Sequence, residues 1–490
     1  MEKDVLIDVN NDEIRLALLE DGQPVEIYYE KLGNRSLVGN IYRGKVERTL
    51  KGMQAAFVDI GLEKNAFLYV KDVAPVSSGG EDKVSARAGD ISGLLSPGQE
   101  ITVQVMKDPS DTKGARVTTR ISLPGRYSVL VFNSHSTGIS QKIGDEEERA
   151  RLRDIALRHR PENAGLIIRT AAEGMSEEDI AGDIAELKEI YDDIREKEKK
   201  GSVPRLLYKE PGMVDRAVRE FLTSDIRRFV INSESEYEKI ISYISENRPD
   251  LKNKIQLYSG KYDMFEYYHV ESALNEALSR KVYLKSGAYL IFDRTEALTV
   301  IDVNSGKYTG KADPEDTALK INLEAAQKIA HQIRLRNLSG IIIVDFIDMR
   351  QKEHQQKVVD TLSELVKADR THTVVVGMTG LGLVEMTRKK IRQPLYRNFT
   401  VDCKACNGTG YRLSPHVIAQ GIKKRLEAHF NLSGPGSVEV YAHPEIQKFL
   451  FESREIISEI EKKYLSSIEI LPSNDVDYED VMIKRKETSM

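Results

Sequence analysis

Residues 341–345 read Ile-Ile-Ile-Val-Asp, an uninterrupted apolar run that ends in an acid, and this run predicts a buried strand. Residues 299–303 form a second strand-like run, Thr-Val-Ile-Asp-Val. The pattern from 313 to about 337 is helical and begins with Asp-Pro, an N-cap followed by the favoured first helical residue. A further helix from about 351 leads to the apolar strand 373–376. This alternation of strands and helices predicts an α/β layer with parallel neighbours.

Two aspartates stand at strand ends in this layer. Asp302 and Asn304 are two residues apart and therefore share one face of their strand, and Asp345 ends the next strand. Ligands collect at the carboxyl ends of strands in open α/β sheets, and Mg²⁺ takes one or two carboxylates together with waters and phosphate oxygens. The trio predicts a magnesium site for phosphodiester hydrolysis. Strand-end aspartates are also common helix caps, and Asp348 is placed to cap the helix that follows Met349.

The chain contains only two cysteines, in the sequence Cys-Lys-Ala-Cys at residues 403–406. A structural zinc site takes four donors, so Cys403 and Cys406 supply half of one, and a second copy of the chain could supply the rest. The glycines at 408 and 410 favour a metal knuckle, because they let the backbone turn tightly. A redox Cys-x-x-Cys pair and two unconnected thiols are the alternatives.

Short strands and turns fill the stretch from residue 39 to about 120. On two successive strands, small and aliphatic residues alternate with Phe57 and with Phe67. Two strands that turn aromatic rings away from their aliphatic face predict a platform on which single-stranded nucleic acid stacks. The alternative is a second core, in which these rings pack under the loop from 75 to 97. The neighbouring side chains predicted to contact phosphates are Tyr42, Arg43, Lys45 and Lys64.

Composition describes a globular chain with several domains. Of its 490 residues, 40 % are hydrophobic and 30 % charged, and the net charge is −5. This length predicts three to four domains of roughly 150 residues each. No apolar run approaches the ~20 residues that span a bilayer, and the first residues lack the pattern of a signal peptide. With so few cysteines, the sequence predicts a cytoplasmic protein without a membrane partner.

Several phrases of the sequence resemble the ribonuclease E/G family of endoribonucleases. They are Ile-Asp-Val-Asn-Ser at 301–305, Asn-Leu-Glu-Ala-Ala at 322–326, Asp-Phe-Ile-Asp-Met at 345–349 and Gly-Leu-Val-Glu-Met at 382–386. The cysteine pair follows in the same order as in the family. Residues 39–46, Gly-Asn-Ile-Tyr-Arg-Gly-Lys-Val, look like the start of an S1 RNA-binding domain, and that match runs to about Thr119.

The resemblance implies a multidomain fold of the α/β and α+β classes. The implied parts are an RNase H-like domain in two segments (1–35 and 214–278), an S1 domain with an OB-fold barrel (36–119), a 5′-sensor domain (120–213), a DNase I-like α/β catalytic domain (279–399), a zinc-link (400–412) and a small C-terminal α/β domain (413–490). The RNase H-like part looks degenerate, since Asp8 at the end of its first strand has no partner carboxylate nearby in the sequence.

The resemblance also implies roles for individual residues. Asp302 and Asp345 match the magnesium ligands, with Asn304 as the adjacent polar residue, and Phe57 and Phe67 match the aromatics that hold single-stranded RNA. Read from the sequence alone, Arg169 and Thr170 at a strand end are ordinary surface residues. The residues that match the family's other two sites are Arg169 and Thr170, with backbone near Gly125 and Val129, for a 5′-monophosphate, and Cys403 and Cys406 for a zinc ion shared between protomers.

The implied function is Mg²⁺-dependent cleavage of single-stranded, A/U-rich RNA to 5′-phosphate and 3′-hydroxyl ends, in messenger decay and in ribosomal and transfer RNA processing. A 5′-monophosphate should stimulate it, although Gln141, Lys142 and His372 stand where the family commonly has arginine. Homodimers that pair into tetramers are implied, without the family's degradosome scaffold tail. The alternatives are a non-catalytic S1-domain RNA-binding protein and a metal phosphoesterase that acts on small phosphate esters.

Overall fold

The computed structural model describes residues 2–33, 36–73, 90–109, 113–306, 313–406 and 408–486. The chain forms two compact units, residues 1–398 and 399–490. Both are mixed α/β, so the predicted multidomain α/β class is confirmed. Within the described ranges, no helix is long and apolar enough to cross a membrane.

A closed barrel follows the first strands of the chain. The elements are β1 (Lys3–Val9), β2 (Glu13–Glu20), β3 (Gln23–Lys31), β4 (Ile41–Leu50), β5 (Ala55–Asp59), β6 (Ala66–Tyr69), the short α1 (Ile91–Leu94), β7 (Glu100–Lys107) and β8 (Arg116–Thr118). Strands β4, β5, β6, β8 and β7 pair in that order, and β7 pairs again with β4, which closes the barrel. Ala56, Val58 and Leu68 fill its interior, as their alternation predicts. The barrel is consistent with an S1-type OB-fold.

A second sheet packs against two helices after the barrel. Its elements are β9 (Ser122–Pro124), β10 (Ser128–Phe132), β11 (Thr137–Ile139), α2 (Glu146–His159), β12 (Ala164–Ile168), α3 (Glu177–Glu198) and β13 (Arg205–Tyr208). The strand order is β11-β12-β10-β9, and α3 lies against β10. Strand β13 is not part of this sheet. It pairs with β4 of the barrel.

The first strands of the chain complete their sheet with strands from beyond residue 213. The next elements are α4 (Met213–Phe221), β14 (Ile226–Ile231), α5 (Glu234–Asn247), β15 (Ile255–Leu257), α6 (Met264–Tyr267) and α7 (Val270–Leu278). Strand β14 runs parallel to β1, which gives the order β15-β14-β1-β2-β3. Asp8 on β1 accepts hydrogen bonds from Arg15 Nη2 at 2.8 Å and Asn232 Nδ2 at 2.6 Å, so it serves this sheet's structure.

The layer identified first from the sequence is a mixed six-stranded sheet. Its elements are β16 (Lys281–Tyr283), β17 (Tyr289–Arg294), β18 (Leu298–Asn304), α8 (Pro314–Leu335), β19 (Gly340–Asp345), α9 (Lys352–Leu365), β20 (Thr373–Met378) and β21 (Leu383–Arg388), followed by the helical turn α10 (Tyr396–Phe399). Asp313 caps α8 by accepting from the Glu315 N–H, as predicted. The order is β16-β17-β18-β19-β21-β20. Strands β18 and β19 are parallel as predicted, but antiparallel β21 separates β19 from β20.

The second unit has a small mixed sheet with three helices. Its elements are α11 (Pro415–Ser433), β22 (Ser437–Ala442), α12 (Pro444–Glu452), α13 (Glu455–Tyr464), β23 (Ser467–Pro472) and β24 (Val481–Arg485). Strand β22 lies in the middle, parallel to β23 and antiparallel to β24. Apolar residues of all three helices, including Leu426, Ile446 and Ile457, pack on the sheet in one core.

Candidate active site

Three polar side chains meet at the ends of β18 and β19. Asp302 and Asp345 are paired in register on these parallel strands, so the structure brings them side by side. Asn304 Nδ2 donates a hydrogen bond to Asp302 Oδ2 at 2.7 Å, which orients that carboxylate. The predicted trio is therefore a spatial cluster at the carboxyl end of two adjacent strands.

The trio occupies the face of the sheet that is turned away from the helices. Ile301 and Val303 alternate with Asp302 and Asn304 along β18, and they pack in the core with α8 and α9. On β19, Val344 packs in the same core, so Asp345 shares the open face. The expected fully buried strand is corrected here: Ile341 is 48 % exposed, because it also lies on the open face.

Negative charge accumulates at this strand end. Partial burial, followed by the charges of Asp302 and Asp348, raises the pKa of Asp345. Asp348 was expected to cap the following helix, and that expectation is wrong: α9 begins after Gln351 and has no side-chain cap. Instead Glu315 on α8 accepts from the backbone N–H groups of Arg350 and Gln351, each at 3.1 Å. The Asp348 carboxylate is thus an exposed neighbour of Asp345.

This donor set fits a magnesium ion rather than a metal that demands an all-protein cage. Mg²⁺ binds through one or two carboxylates and keeps several waters, and Asp302 and Asp345 provide two adjacent carboxylates. Over the described ranges, no group of three or more His, Cys, Asp or Glu side chains is arranged to hold a metal ion. Lys307 follows β18 in the sequence and could steady a phosphate, although a solvated charge is the simpler interpretation; it lies outside the described residues.

The outer face of the barrel carries a row of rings and cations. Phe57 and Phe67 are paired across β5 and β6, half-buried, with ring centroids 5.9 Å apart. Arg48 pairs with Phe57, and its Cζ lies 4.8 Å from that ring's centroid. Arg116 pairs with Phe67 on the other side. The row reads cation, ring, ring, cation across four strands, and we call it the barrel platform. Sequence reasoning missed its two arginines, because their places depend on strand register.

The residues expected to contact phosphates beside these rings have different environments. Tyr42 is a correction: it is 7 % exposed and packs inside the barrel with Val46, so it is not available at the surface. Lys45 is exposed and Lys64 half-buried. Arg43 is half-buried and forms ion pairs with Glu198 and Glu100. The alternative core under the 75–97 loop falls largely on residues 74–89, outside the described residues.

The four residues predicted for a 5′-phosphate lie around one strand end. Arg169 Nη1 donates to the backbone oxygen of Gly125 at 2.5 Å. Thr170 follows directly, and its hydroxyl is 2.8 Å from that of Ser140. Val129 stands on β10, which pairs with β12 just before Arg169. Two half-exposed or exposed side chains, a guanidinium and a hydroxyl, therefore face solvent at one place.

The surroundings of Arg169 are partly apolar. On the strand before it, Ile167 is 41 % exposed and lies opposite Val129. The two form a small apolar pair on the strands β10 and β12, the second of which ends just before Arg169. Lys142 Nζ donates to the backbone oxygen of Arg370 at 3.2 Å, two residues before His372. Lys142 and His372, two of the residues that stand where the family commonly has arginine, therefore lie near one another beside two different sheets.

Sequence comparisons relate this chain to known proteins. The sequence model described as Ribonuclease E/G family matches residues 122–391, more than half of the chain. A Ribonuclease G of Salmonella typhimurium (strain SL1344) is 40 % identical over 94 % of this chain and 95 % of its own length. The chain belongs to the ribonuclease E/G family. A Ribonuclease G of Escherichia coli (strain K12) is 40 % identical over 92 % of both chains, and a Ribonuclease E of Haemophilus influenzae is 34 % identical over 96 % of this chain and 51 % of its own.

The cysteine pair lies at the start of a second region of the chain that matches a sequence model of this family. A sequence model described as RNase E/G, Thioredoxin-like domain matches residues 402–486. Cys403 is exposed and Cys406 half-buried. The Cys406 N–H donates to the Cys403 oxygen at 3.4 Å, and the Thr409 N–H donates to the Cys406 oxygen at 2.8 Å, which wraps the backbone around the pair. Backbone N–H groups of Gly410 and then Gly408 lower the pKa of Cys406. Such a thiol favours the thiolate form that ligates zinc.

Proposed function

We propose that this endoribonuclease of the ribonuclease E/G family depends on Mg²⁺ and cleaves single-stranded, A/U-rich RNA to 5′-phosphate and 3′-hydroxyl ends. The observation that carries the proposal is the register pairing of Asp302 with Asp345 at two parallel strand ends. The 40 % identity to a Ribonuclease G over 94 % of the chain supports RNA as the substrate. Messenger decay and ribosomal and transfer RNA processing are the proposed roles.

The catalytic residues divide the work at the strand ends. Asp302 and Asp345 hold the magnesium ion, and Asn304 fixes the Asp302 carboxylate through its 2.7 Å hydrogen bond. When bound, the ion would supply Lewis-acid chemistry for hydrolysis of the phosphodiester. Among the residues that the structure describes, α8 and α9 pack on the opposite face of the sheet, so an extended RNA strand can pass over the carboxylates.

The barrel platform holds the substrate strand in this proposal. Phe57 and Phe67 present ring faces and edges to bases, and Arg48 and Arg116 flank them with positive charge. Arg116 is shared with Asp72, which accepts from its Nη2 at 2.7 Å. Stacking on rings tolerates any base, so this surface supplies affinity rather than sequence choice.

We expect Phe57→Ala and Phe67→Ala each to weaken binding of a short single-stranded RNA by about tenfold, since stacking contributes about 1–3 kcal/mol per base. Phe57→Tyr and Phe67→Tyr keep the ring and are the matched controls, which should bind within about twofold of the wild-type protein. Fluorescence anisotropy in EDTA, where cleavage is blocked, gives the Kd directly. Alanine variants that bind as tightly as the tyrosine variants would exclude the platform as the RNA site.

The strand end at Arg169 and Thr170 is proposed to take the 5′-monophosphate. A guanidinium can form charge-assisted hydrogen bonds to phosphate oxygens, and a hydroxyl can add a further one. Gly125 supports this arrangement, because its backbone oxygen accepts from Arg169 at 2.5 Å. Backbone near Val129 completes the proposed pocket. With Gln141, Lys142 and His372 in place of arginines, the pocket is less basic than the family's usual one.

Cys403 and Cys406 are proposed to supply two of the four ligands of a zinc site. A second copy of the chain would supply the other two. Four thiolates satisfy zinc, and each chain supplies two. The proposed assembly is a zinc-linked homodimer, with pairing of dimers into a tetramer. The domain assignment proposed with it keeps the sequence boundaries: RNase H-like (1–35 and 214–278), S1 (36–119), 5′-sensor (120–213), DNase I-like (279–399), zinc-link (400–412) and the C-terminal domain (413–490).

The test of the proposed function is cleavage of one short A/U-rich RNA by the wild-type protein, with and without Mg²⁺. We expect cleavage in Mg²⁺ only, with a 5′-phosphate on the downstream product and a 3′-hydroxyl on the upstream product. The same RNA with a 5′-monophosphate should be cut faster than with a 5′-hydroxyl, and Arg169→Gln should remove that difference. RNA binding without cleavage would favour a non-catalytic S1-domain protein instead.

A further inference from the structure

One carboxylate holds the turn at residues 125–128. Asp183, on helix α3, accepts a hydrogen bond from the Arg126 N–H at 2.7 Å with Oδ1. Its Oδ2 accepts from the Tyr127 N–H at 3.1 Å, the Ser128 N–H at 2.9 Å and the Ser128 hydroxyl at 2.7 Å. Successive backbone N–H groups that converge in this way form an anion-binding concavity. Here the anion is supplied by the protein itself.

The same carboxylate explains why residue 125 is glycine. A Cβ at Gly125 would lie 2.5 Å and 2.6 Å from the two Asp183 carboxylate oxygens. Any larger residue would therefore push Asp183 out of its four hydrogen bonds. The close approach leaves the Gly125 carbonyl directed at Arg169, which donates to it from Nη1 at 2.5 Å.

The turn grips Arg169 at both its backbone and its side chain. The Arg169 N–H donates to the Tyr127 oxygen at 2.8 Å, and the guanidinium donates to the Gly125 oxygen. The two acceptors lie on either side of Arg126, whose N–H is bound by Asp183. The position of the guanidinium thus depends on a turn whose shape is set by one side chain from another element.

We propose that Asp183 is a positioning residue for recognition of the RNA 5′-monophosphate, and this inference rests on the proposed role of Arg169. Asp183 does not touch the phosphate. It fixes the 125–128 turn so that the Gly125 carbonyl orients the Arg169 guanidinium toward the incoming 5′ end. Without the carboxylate, three backbone N–H groups and one hydroxyl lose their acceptor, and the turn relaxes toward other conformations.

The decisive variant is Asp183→Asn, which keeps the shape of the side chain. An amide offers one acceptor oxygen and places an NH₂ group against N–H donors, so it cannot satisfy the turn. Its matched control is Glu186→Gln, one turn further along the same face of α3. Asp183 and Glu186 both line a cavity of about 550 Å³. The hydroxyl of Tyr243 lies 3.4 Å from Glu186 Oε1, so this carboxylate has a partner outside the turn.

The measurement is kcat and KM for one RNA with a 5′-monophosphate or a 5′-hydroxyl. For Asp183→Asn we expect the preference for the monophosphate to fall about tenfold through KM, because the loss of charge-assisted hydrogen bonds is of that size. Cleavage of the 5′-hydroxyl RNA should stay within about twofold of wild type. Glu186→Gln should keep the full preference. Gly125→Ala should lower the preference for the monophosphate to a similar extent, and the double variant should lose no more of that preference than either single variant.

Three results would overturn the inference. An Asp183→Asn protein with the full monophosphate preference would show that the turn does not need this carboxylate. Equal losses on both RNAs with a lower melting temperature would show that Asp183 only anchors α3. A wild-type protein that cuts both RNAs at the same rate would refute the 5′ sensor itself, a failure that appears before any variant is made and is therefore separate from the failure of Asp183.

Discussion

Asp302→Asn or Asp345→Asn should each lower the rate of RNA cleavage in Mg²⁺ by at least about 10³-fold, because a catalytic metal contributes several kcal/mol of transition-state stabilisation. Each substitution replaces one of two carboxylates that are paired in register on β18 and β19. Asparagine has nearly the same shape but no charge, so the fold is retained and the affinity for the ion is lost. Single-turnover cleavage of a labelled oligonucleotide measures the effect.

Measurements of RNA affinity and of melting temperature distinguish the loss of catalysis in these variants from a general loss of folding. The barrel platform is distant in sequence and built on another sheet, so RNA affinity in EDTA should stay within about twofold. The folded pKa of Asp345 is raised by burial and by Asp302 and Asp348, so its ionisation costs stability as the pH rises from the unfolded to the folded pKa. In metal-free buffer at neutral pH, both variants should therefore melt no lower than wild type.

Asp293→Asn is the matched control for these variants. Asp293 is on β17 of the same sheet and pairs with Arg280 at 2.5 Å, away from the strand ends that carry the trio. The same chemical change there should leave cleavage within about twofold. If Asp302→Asn retained more than a tenth of the wild-type rate while Asp293→Asn was normal, the magnesium site would have to lie elsewhere.

The proximity of the two aspartates could be predicted from the sequence because it follows from local signals. The Asp-Pro start of α8 marks a helix between two apolar strands, and a strand, helix, strand unit places its strands parallel. Parallel neighbours bring their carboxyl ends to the same edge, so residues at or near the ends of the two strands meet. Asp345 ends β19, Asp302 lies two residues before the end of β18, and the two are paired in register.

The order of the remaining strands could not be predicted in the same way. Strand β21 lies between β19 and β20, although it follows β20 in the chain. Such an insertion depends on which edges pair, and that choice is made by long-range contacts. The exposure of Ile341 was hidden for a related reason: an all-apolar run has no alternation to show which face is open. The partnership of Asp183 with the 125–128 turn is also long-range and left no local pattern.

The buried position of Tyr42 follows from the alternation of residues along β4, a local pattern that the sequence contains. It is two residues from Gly44 and four from Val46, and side chains at even spacing share one face of a strand. Val46 is aliphatic and Gly44 has no room for a side chain, since a Cβ there would lie 2.6 Å from the Asp59 oxygen. The alternation along β4 therefore pointed Tyr42 into the barrel, where it is found.

Cys403→Ser combined with Cys406→Ser should abolish zinc binding and convert the assembly to smaller species. The wild-type protein is expected to contain about one zinc ion for two chains, since a four-donor site needs two pairs. Serine hydroxyls are not deprotonated at neutral pH and do not replace thiolates. Metal analysis of the purified protein gives the zinc content, and sedimentation velocity gives the mass of the species in the same samples.

The two cysteines allow a redox pair as well as a metal link, and the experiment separates them. The lowered pKa of Cys406, caused by the backbone N–H groups of Gly410 and Gly408, suits either chemistry. A redox pair would bind no zinc, would titrate as two free thiols after reduction, and would leave the mass unchanged when both are replaced. A zinc link ties mass to metal, so a chelator added to the wild-type protein should reproduce the mass shift of the double variant. An unchanged mass after complete zinc removal would contradict the shared site, because no other cysteine in the chain could substitute for the pair.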